Sequence, residues 1–197
     1  MIFRLGLTGS IGMGKSTTAK MFAEDGCAVW DADAAVHRLY AKGGSAVAPM
    51  GAVFPAAIID GAVSRDALKE IIGADPQALG QIEAIVHPLL GADRADFAKN
   101  AAADILVYDI PLLFETGGEK RMDAVACVTV SPQTQRERVM ARGTMTEAQF
   151  EGIRAKQMPN DEKCARSDYV IETDTLEHAR AQVQDVVADI RKRMRDA

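Results

Sequence analysis

The sequence predicts an α/β fold, a five-stranded parallel sheet covered by helices, and three observations carry that prediction. First, Phe3–Thr8, Cys27–Trp30, Ile105–Ile110, Ala124–Val130 and Tyr169–Ile171 are short apolar runs bounded by polar or glycine residues. Such runs are the pattern of buried strands. Second, helical patterns lie between most of them, and strands alternating with helices imply a parallel sheet covered on both faces. Third, Gly9-Ser10-Ile11-Gly12-Met13-Gly14-Lys15-Ser16 sits between the first run and a helical stretch ending at Glu24. It fits G-x-x-x-x-G-K-[ST] in the strand–loop–helix setting that makes the pattern a phosphate site.

Glycines let this loop turn tightly and bring bare backbone N–H groups up to phosphate oxygens. The helix behind adds unpaired N–H groups and the positive end of its dipole. The expected nucleotide contacts are Ile11, Gly12, Met13, Gly14, Lys15, Ser16 and Thr17, with Lys15 reaching the β/γ-phosphates and Ser16 holding Mg²⁺.

Asp31-Ala32-Asp33 follows the second run. Ligands of open α/β sheets lie beyond the carboxyl ends of the strands, which puts these residues on the loop's edge. A carboxylate there accepts a proton from an attacking hydroxyl, or holds Mg²⁺ through water, or caps the helix Ala34–Ala41. On an extended chain Asp31 and Asp33 face opposite ways, so one of the two is expected to face the nucleotide.

Residues 34–103 are too long for one crossover. They hold helical stretches at Ala34–Ala41, Arg65–Ile72, Pro76–Val86 and Pro88–Ala103. They read as a helical substrate-binding insertion in a core of residues 1–33, 104–133 and 167–197. His87, before Pro88, is either a structural hydrogen-bonding residue or a contact for an anionic substrate. The third run ends in Tyr108-Asp109-Ile110-Pro111. There Asp109 either holds Mg²⁺ or turns the chain before the proline. Residues 134–166 form a charged, helical excursion, read as a lid, in which Thr146-Glu147-Ala148-Gln149 is a capping box. Its Arg136, Arg138, Arg142, Arg154 and Arg166 are either lid arginines that stabilise a transferred phosphoryl group or a solvated face paired with Glu137, Glu147 and Glu151. From about Thr175 an apolar stripe through Leu176, Ala179, Val183, Val187 and Ile190 marks a last helix packed on the core.

Composition narrows the partners. The net charge is −5, and the one basic block, Arg191-Lys192-Arg193, suits a helix end. Both argue against a nucleic-acid backbone as the main partner. No apolar stretch reaches the ~18 residues of a membrane span. The start has no charged-then-apolar targeting pattern. The 3 cysteines, Cys27, Cys127 and Cys164, lack metal-site spacing and read as reduced thiols. A cytoplasmic protein with small-molecule partners is the expectation.

Read together, the motifs resemble one family, dephospho-coenzyme A kinase. The resemblance runs through Leu7-Thr8-Gly9 and the phosphate loop, Asp31-Ala32-Asp33, Gly61 to Arg65 with Leu68, and Ile85-Val86-His87-Pro88. It continues through Asp109 to Glu115, Gln135 with Arg138 and Arg142, Gln157-Met158-Pro159, Lys163, Ala165 and Asp168 to Ile171. It implies a P-loop kinase fold with a helical coenzyme A-binding insertion and a helical lid. It implies transfer of a phosphoryl group from ATP, with Mg²⁺, to the ribose 3′-hydroxyl of dephospho-coenzyme A. Carried over by position, Asp33 is the general base, assisted by Lys15 and Arg142. Thr8, Arg65, His87, Leu112 and Leu113 lie near the acceptor, and Arg138 and Arg142 near ATP. Asp109 stands between metal and acceptor contacts. The chain departs from the family's habit at Ser10, Met13 and Gly152, and has Glu172-Thr173-Asp174 where Asn-Gly usually follows the last strand. The nearest alternative is another small-molecule or nucleoside-monophosphate kinase. The Asn-Lys-x-Asp and Asp-x-x-Gly motifs of guanine-nucleotide switches do not occur.

Overall fold

The computed structural model describes residues 2–196. In chain order the elements are β1 (Phe3–Thr8), α1 (Lys15–Glu24), β2 (Ala28–Asp31), α2 (Ala32–Tyr40), α3 (Val47–Val53), β3 (Ile58–Ile59), β4 (Ala62–Val63), α4 (Arg65–Ala74) and α5 (Ala78–Asn100). They continue with β5 (Ile105–Asp109), β6 (Ala124–Thr129), α6 (Pro132–Ala141), α7 (Glu147–Lys156), α8 (Asn160–Ala165), β7 (Tyr169–Glu172) and α9 (Leu176–Asp196). The chain forms two compact units, Asp31–Asn100 and the remainder.

The larger unit is built on a five-stranded sheet of order β2-β5-β1-β6-β7. β1 runs parallel to both β5 and β6, and β6 parallel to β7. Alternation along the strands divides their side chains between two faces. Leu5, Leu7, Ala126 and Val128 join Phe22, Val183 and Ile190 of α1 and α9 in the main core. Val125, between Ala124 and Ala126, turns the other way onto Leu113 and Phe114. The apolar stripe of the last helix is buried here at Ala179, Val183, Val186, Val187 and Ile190. Residues 134–166 belong to this unit as well.

The smaller unit has its own core of Met50, Ala57, Val63, Leu68, Ile82 and Val86. Arg38 of α2 is tied to Asp93 of α5 at 2.7 Å. Two features differ from the sequence expectation. The helical pattern around His87-Pro88 is one continuous helix of 23 residues, α5, with Pro88 inside it. Pro88 removes the hydrogen bond to the Ala84 carbonyl. Both residues are exposed, so water can take the freed acceptor. The second feature is the small hairpin β3–β4, which joins antiparallel. Its turn residues Asp60 and Gly61 have φ of 53° and 81°, the paired positive values that an Asp-Gly turn supplies.

Gly152 sits in the interior of α7, and a Cβ built there meets nothing within 4 Å. Gly152→Ala should therefore stabilise the protein by about 0.5–1 kcal/mol. Denaturant unfolding checks this; an unchanged or lower midpoint would contradict the open surroundings of that position.

Candidate active site

The phosphate loop leaves β1 and enters α1 as the sequence predicts. Gly12 and Gly14 have φ of +79° and +93°. An added Cβ would come within 2.5 Å of Val139 at Gly12 and 2.8 Å of the Thr173 hydroxyl at Gly14. Conformation and space both demand glycine at these two positions.

The loop's backbone donors divide into two sets. The Ser10 N–H donates to Asn160 Oδ1 at 3.0 Å and the Ile11 N–H to Gln157 Oε1 at 3.2 Å. The Met13 N–H donates to the Ser10 carbonyl at 3.2 Å. Among the described residues the N–H groups of Gly12, Gly14, Lys15 and Ser16 have no protein acceptor. They line the turn into α1, where a helix leaves its first donors open. These four N–H groups form a cradle of the open donors an anion needs, whereas the Ile11 N–H is engaged by Gln157 and the Met13 N–H by Ser10. The loop's acceptors are held too. The Ile11 carbonyl accepts from Gln135 Nε2 at 2.7 Å, and the Met13 carbonyl from the Thr173 hydroxyl at 2.8 Å. Met13 is buried among core residues, so only its backbone borders the cradle.

Lys15 is ion-paired with Asp109, which ends β5 and is 1% exposed. Ser16 and Thr17 are exposed in the first turn of α1. A cavity of about 290 Å³ adjoins the cradle, lined by Gly14, Thr17, Arg138, Arg142, Thr173 and Asp174 among others. Arg138 reaches across to the Thr173 hydroxyl at 3.0 Å and its carbonyl at 2.6 Å. Thr173, in the segment that departs from the family's habit, thus ties α6 to the loop. The arginines of 134–166 divide as well. Arg136 pairs with Glu147, Arg154 with Glu151, and Arg166 with Glu119 and Glu162, the ion-paired surface face. Arg142 is exposed at the C-terminal end of α6 and has no ion pair among the described residues.

On the other side of Asp109 the chain turns through Pro111. The Pro111 carbonyl accepts from the Thr8 hydroxyl at 3.1 Å and from Lys163 Nζ at 2.9 Å. Lys163 is fully buried and pairs with Glu115 at 2.9 Å. Thr8 and Leu113 are fully buried, so they shape this segment from within, whereas Leu112 is 42% exposed. Burial works to raise the Glu115 carboxyl, but the hydrogen bonds from Lys163 and from the Met158 N–H outweigh it and hold it below the usual carboxylate range. A depressed folded pKa contributes stability above the unfolded value, and that stability is lost as pH falls through the folded one. Acidification below about pH 4.5 should therefore cost the wild type more than a Lys163→Met/Glu115→Gln double variant. Melting temperatures from pH 7 to pH 3 check this; parallel curves would contradict it.

The smaller unit places the remaining expected residues. The expectation that Asp31 and Asp33 extend in opposite directions does not hold, because the helix begins at Ala32. Asp31 is the cap, its carboxylate accepting the Ala34 N–H at 2.9 Å. Asp33 sits in the first turn, exposed, with no side-chain partner among the described residues. The capping role and the free carboxylate thus fall to different residues. His87 is exposed on α5 and makes no hydrogen bond among the described residues, so it lacks the contact a structural histidine needs. Arg65 opens α4 and its guanidinium lies 5.9 Å from the Tyr40 ring centroid.

Gln135, Gln157, Asn160 and Thr173 hold the loop, yet their spacing in sequence gives no sign of it. They lie on α6, before and at the start of α8, and after β7, brought to the loop only by the fold.

Comparison with known proteins agrees with these features. The sequence profile of the family described as dephospho-CoA kinase matches residues 3–178. A curated relative, the dephospho-CoA kinase of Ruegeria pomeroyi, is 75% identical over 191 residues, covering 97% of each chain. Among solved structures, TT1252 from Thermus thermophilus is 30% identical with a TM-score of 0.86, covering 95% of this chain and 97% of its own. A dephospho-CoA kinase from Campylobacter jejuni, 21% identical with a TM-score of 0.70 over 98% of each chain, has the same fold. With the phosphate cradle and the motifs from Asp31 to Ile171 in place, the chain belongs to the dephospho-CoA kinase family.

Proposed function

We propose that the chain transfers the γ-phosphoryl group of ATP to the ribose 3′-hydroxyl of dephospho-coenzyme A, giving coenzyme A and ADP. The observation that carries this reading is the cradle of open N–H groups at Gly12, Gly14, Lys15 and Ser16 in a chain that matches the family from residue 3 to 178.

The N–H groups of Gly12, Gly14, Lys15 and Ser16 hold the phosphates, and Lys15 turns from Asp109 to the β/γ-oxygens when they arrive. The cavity beside Thr173 and Arg138 takes the adenine end, with Arg142 free to meet phosphate charge. Arg65, His87 and Leu112 are carried over as acceptor contacts, with Thr8 and Leu113 buried behind the Leu112 segment. Asp33 accepts the proton of the ribose hydroxyl as the oxygen attacks the γ-phosphorus in line. Most of the rate enhancement comes from positioning and fixed charge rather than from covalent chemistry. The Ser16 hydroxyl and the Asp109 carboxylate are hard oxygen donors of the kind Mg²⁺ takes, so they would hold it. Bound there, Mg²⁺ would neutralise charge on the β- and γ-phosphate oxygens. The cysteines Cys27, Cys127 and Cys164 are free thiols, with Cys164 Sγ donating to Cys127 Sγ at 3.6 Å. This suits a reducing cytoplasm, where we place the protein.

An acceptor panel with labelled ATP tests the substrate. Turnover of dephospho-coenzyme A far above that of nucleosides and nucleoside monophosphates is expected. Preference for a nucleoside monophosphate would replace this reading.

A further inference from the structure

Helix α8 has six residues, yet it touches both sides of the larger unit's site. Asn160, its first residue, accepts the Ser10 N–H at 3.0 Å and donates to the Val128 carbonyl at 3.2 Å. That carboxamide joins the phosphate loop to the neighbouring strand β6. One turn later, Lys163 donates to the Pro111 carbonyl at 2.9 Å and pairs with Glu115 at 2.9 Å. Glu115 in turn accepts the Met158 N–H at 2.9 Å, just before the helix. Residues three apart on a helix are neighbours, so these contacts spring from a single turn. A fully buried ammonium is costly, and an apolar side chain of similar volume often serves stability as well. Here the ammonium does something an apolar chain cannot. It fixes a main-chain carbonyl next to Leu112.

We infer that α8 is a strut that sets the spacing between the phosphate loop and the 111–115 segment. Asn160 is the positioning residue on the donor side and Lys163, with Glu115, on the acceptor side. The acceptor half rests on the proposed contact of Leu112 with the acceptor. The physical reason for a strut is geometric. In-line transfer needs the reacting atoms about 3–3.5 Å apart, and a misplacement of about 1 Å costs roughly 100-fold.

The test measures KM for ATP, KM for dephospho-coenzyme A and melting temperature in the full chain. The variants are Asn160→Ala, the double variant Lys163→Met/Glu115→Gln, and Leu112→Ala. The double variant leaves no buried charge alone, and its Gln can still accept the Met158 N–H. Asn160→Ala should raise KM for ATP about 3- to 10-fold, the worth of one hydrogen bond, with the acceptor KM unchanged. The double variant should raise the acceptor KM by a similar factor with KM for ATP unchanged. A merely structural helix would lower the melting temperature and move both constants together or neither; that result overturns the strut. If Leu112→Ala leaves the acceptor KM unchanged, the acceptor reading of the segment fails. The Asn160 result still decides the donor side.

Discussion

Asp33→Asn lowers turnover about 10²- to 10⁴-fold and leaves ATP affinity unchanged, the loss expected when a general base is removed. Its placement makes the variant a clean one. Asp33 lies in the first turn of α2, but the cap is Asp31, whose carboxylate holds the Ala34 N–H at 2.9 Å. The helix therefore keeps its cap when Asp33 changes. Loss of one negative charge from that turn costs about 0.3–1 kcal/mol, too little to unfold a domain. The Asn side chain keeps the shape and loses the charge and the ability to take a proton. Steady-state kcat with a separate ATP titration measures both quantities. Near-normal turnover would remove Asp33 from the mechanism.

Lys15→Ala has the other large effect, and it appears in two measurements. Turnover falls on the order of 10²- to 10³-fold, the usual worth of one fixed group facing transition-state charge. The free protein also becomes less stable, because the buried Asp109 loses the Lys15 ammonium. Removing one partner of a buried pair costs about 3–5 kcal/mol, and less where water reaches the pair. Adding Asp109→Asn should recover melting temperature but not turnover. Calorimetric titration should show dephospho-coenzyme A binding retained by the Lys15→Ala variant. Selective loss of acceptor affinity would contradict the assignment of Lys15 to the nucleotide.

Much of this architecture is legible in the chain itself. The five strands of the parallel sheet coincide with the apolar runs to within a residue or so at each end, most clearly at β5 and β6, where burial on both faces leaves little freedom in composition. The phosphate loop is legible because its glycines answer to backbone geometry, at Gly12 and Gly14 most directly. Local signals were harder to read where two of them competed. Asp31-Ala32-Asp33 contains both a cap and a free carboxylate, and only the helix start at Ala32 separates them. Pro88 marks a helix end by its chemistry, yet α5 runs through it on its exposed side. The Asp60-Gly61 turn was open to reading as a hairpin, since Ile58-Ile59 and Ala62-Val63 flank it. Gln135 and Gln157 stand in motifs of the resemblance, but nothing local shows that they, with Asn160 and Thr173, hold the loop. Their partners lie more than 120 residues away for three of them and farther still for Thr173. A side-chain amide or hydroxyl such as these has no pattern of its own until the fold supplies its partner.

Mass spectrometry of dephospho-coenzyme A after incubation with the protein and Mg-ATP tests the proposed reaction most directly. The proposed function predicts a gain of one phosphoryl group at the ribose 3′ position, matched by ADP. Unmodified dephospho-coenzyme A, or phosphate added elsewhere on it, would contradict that function.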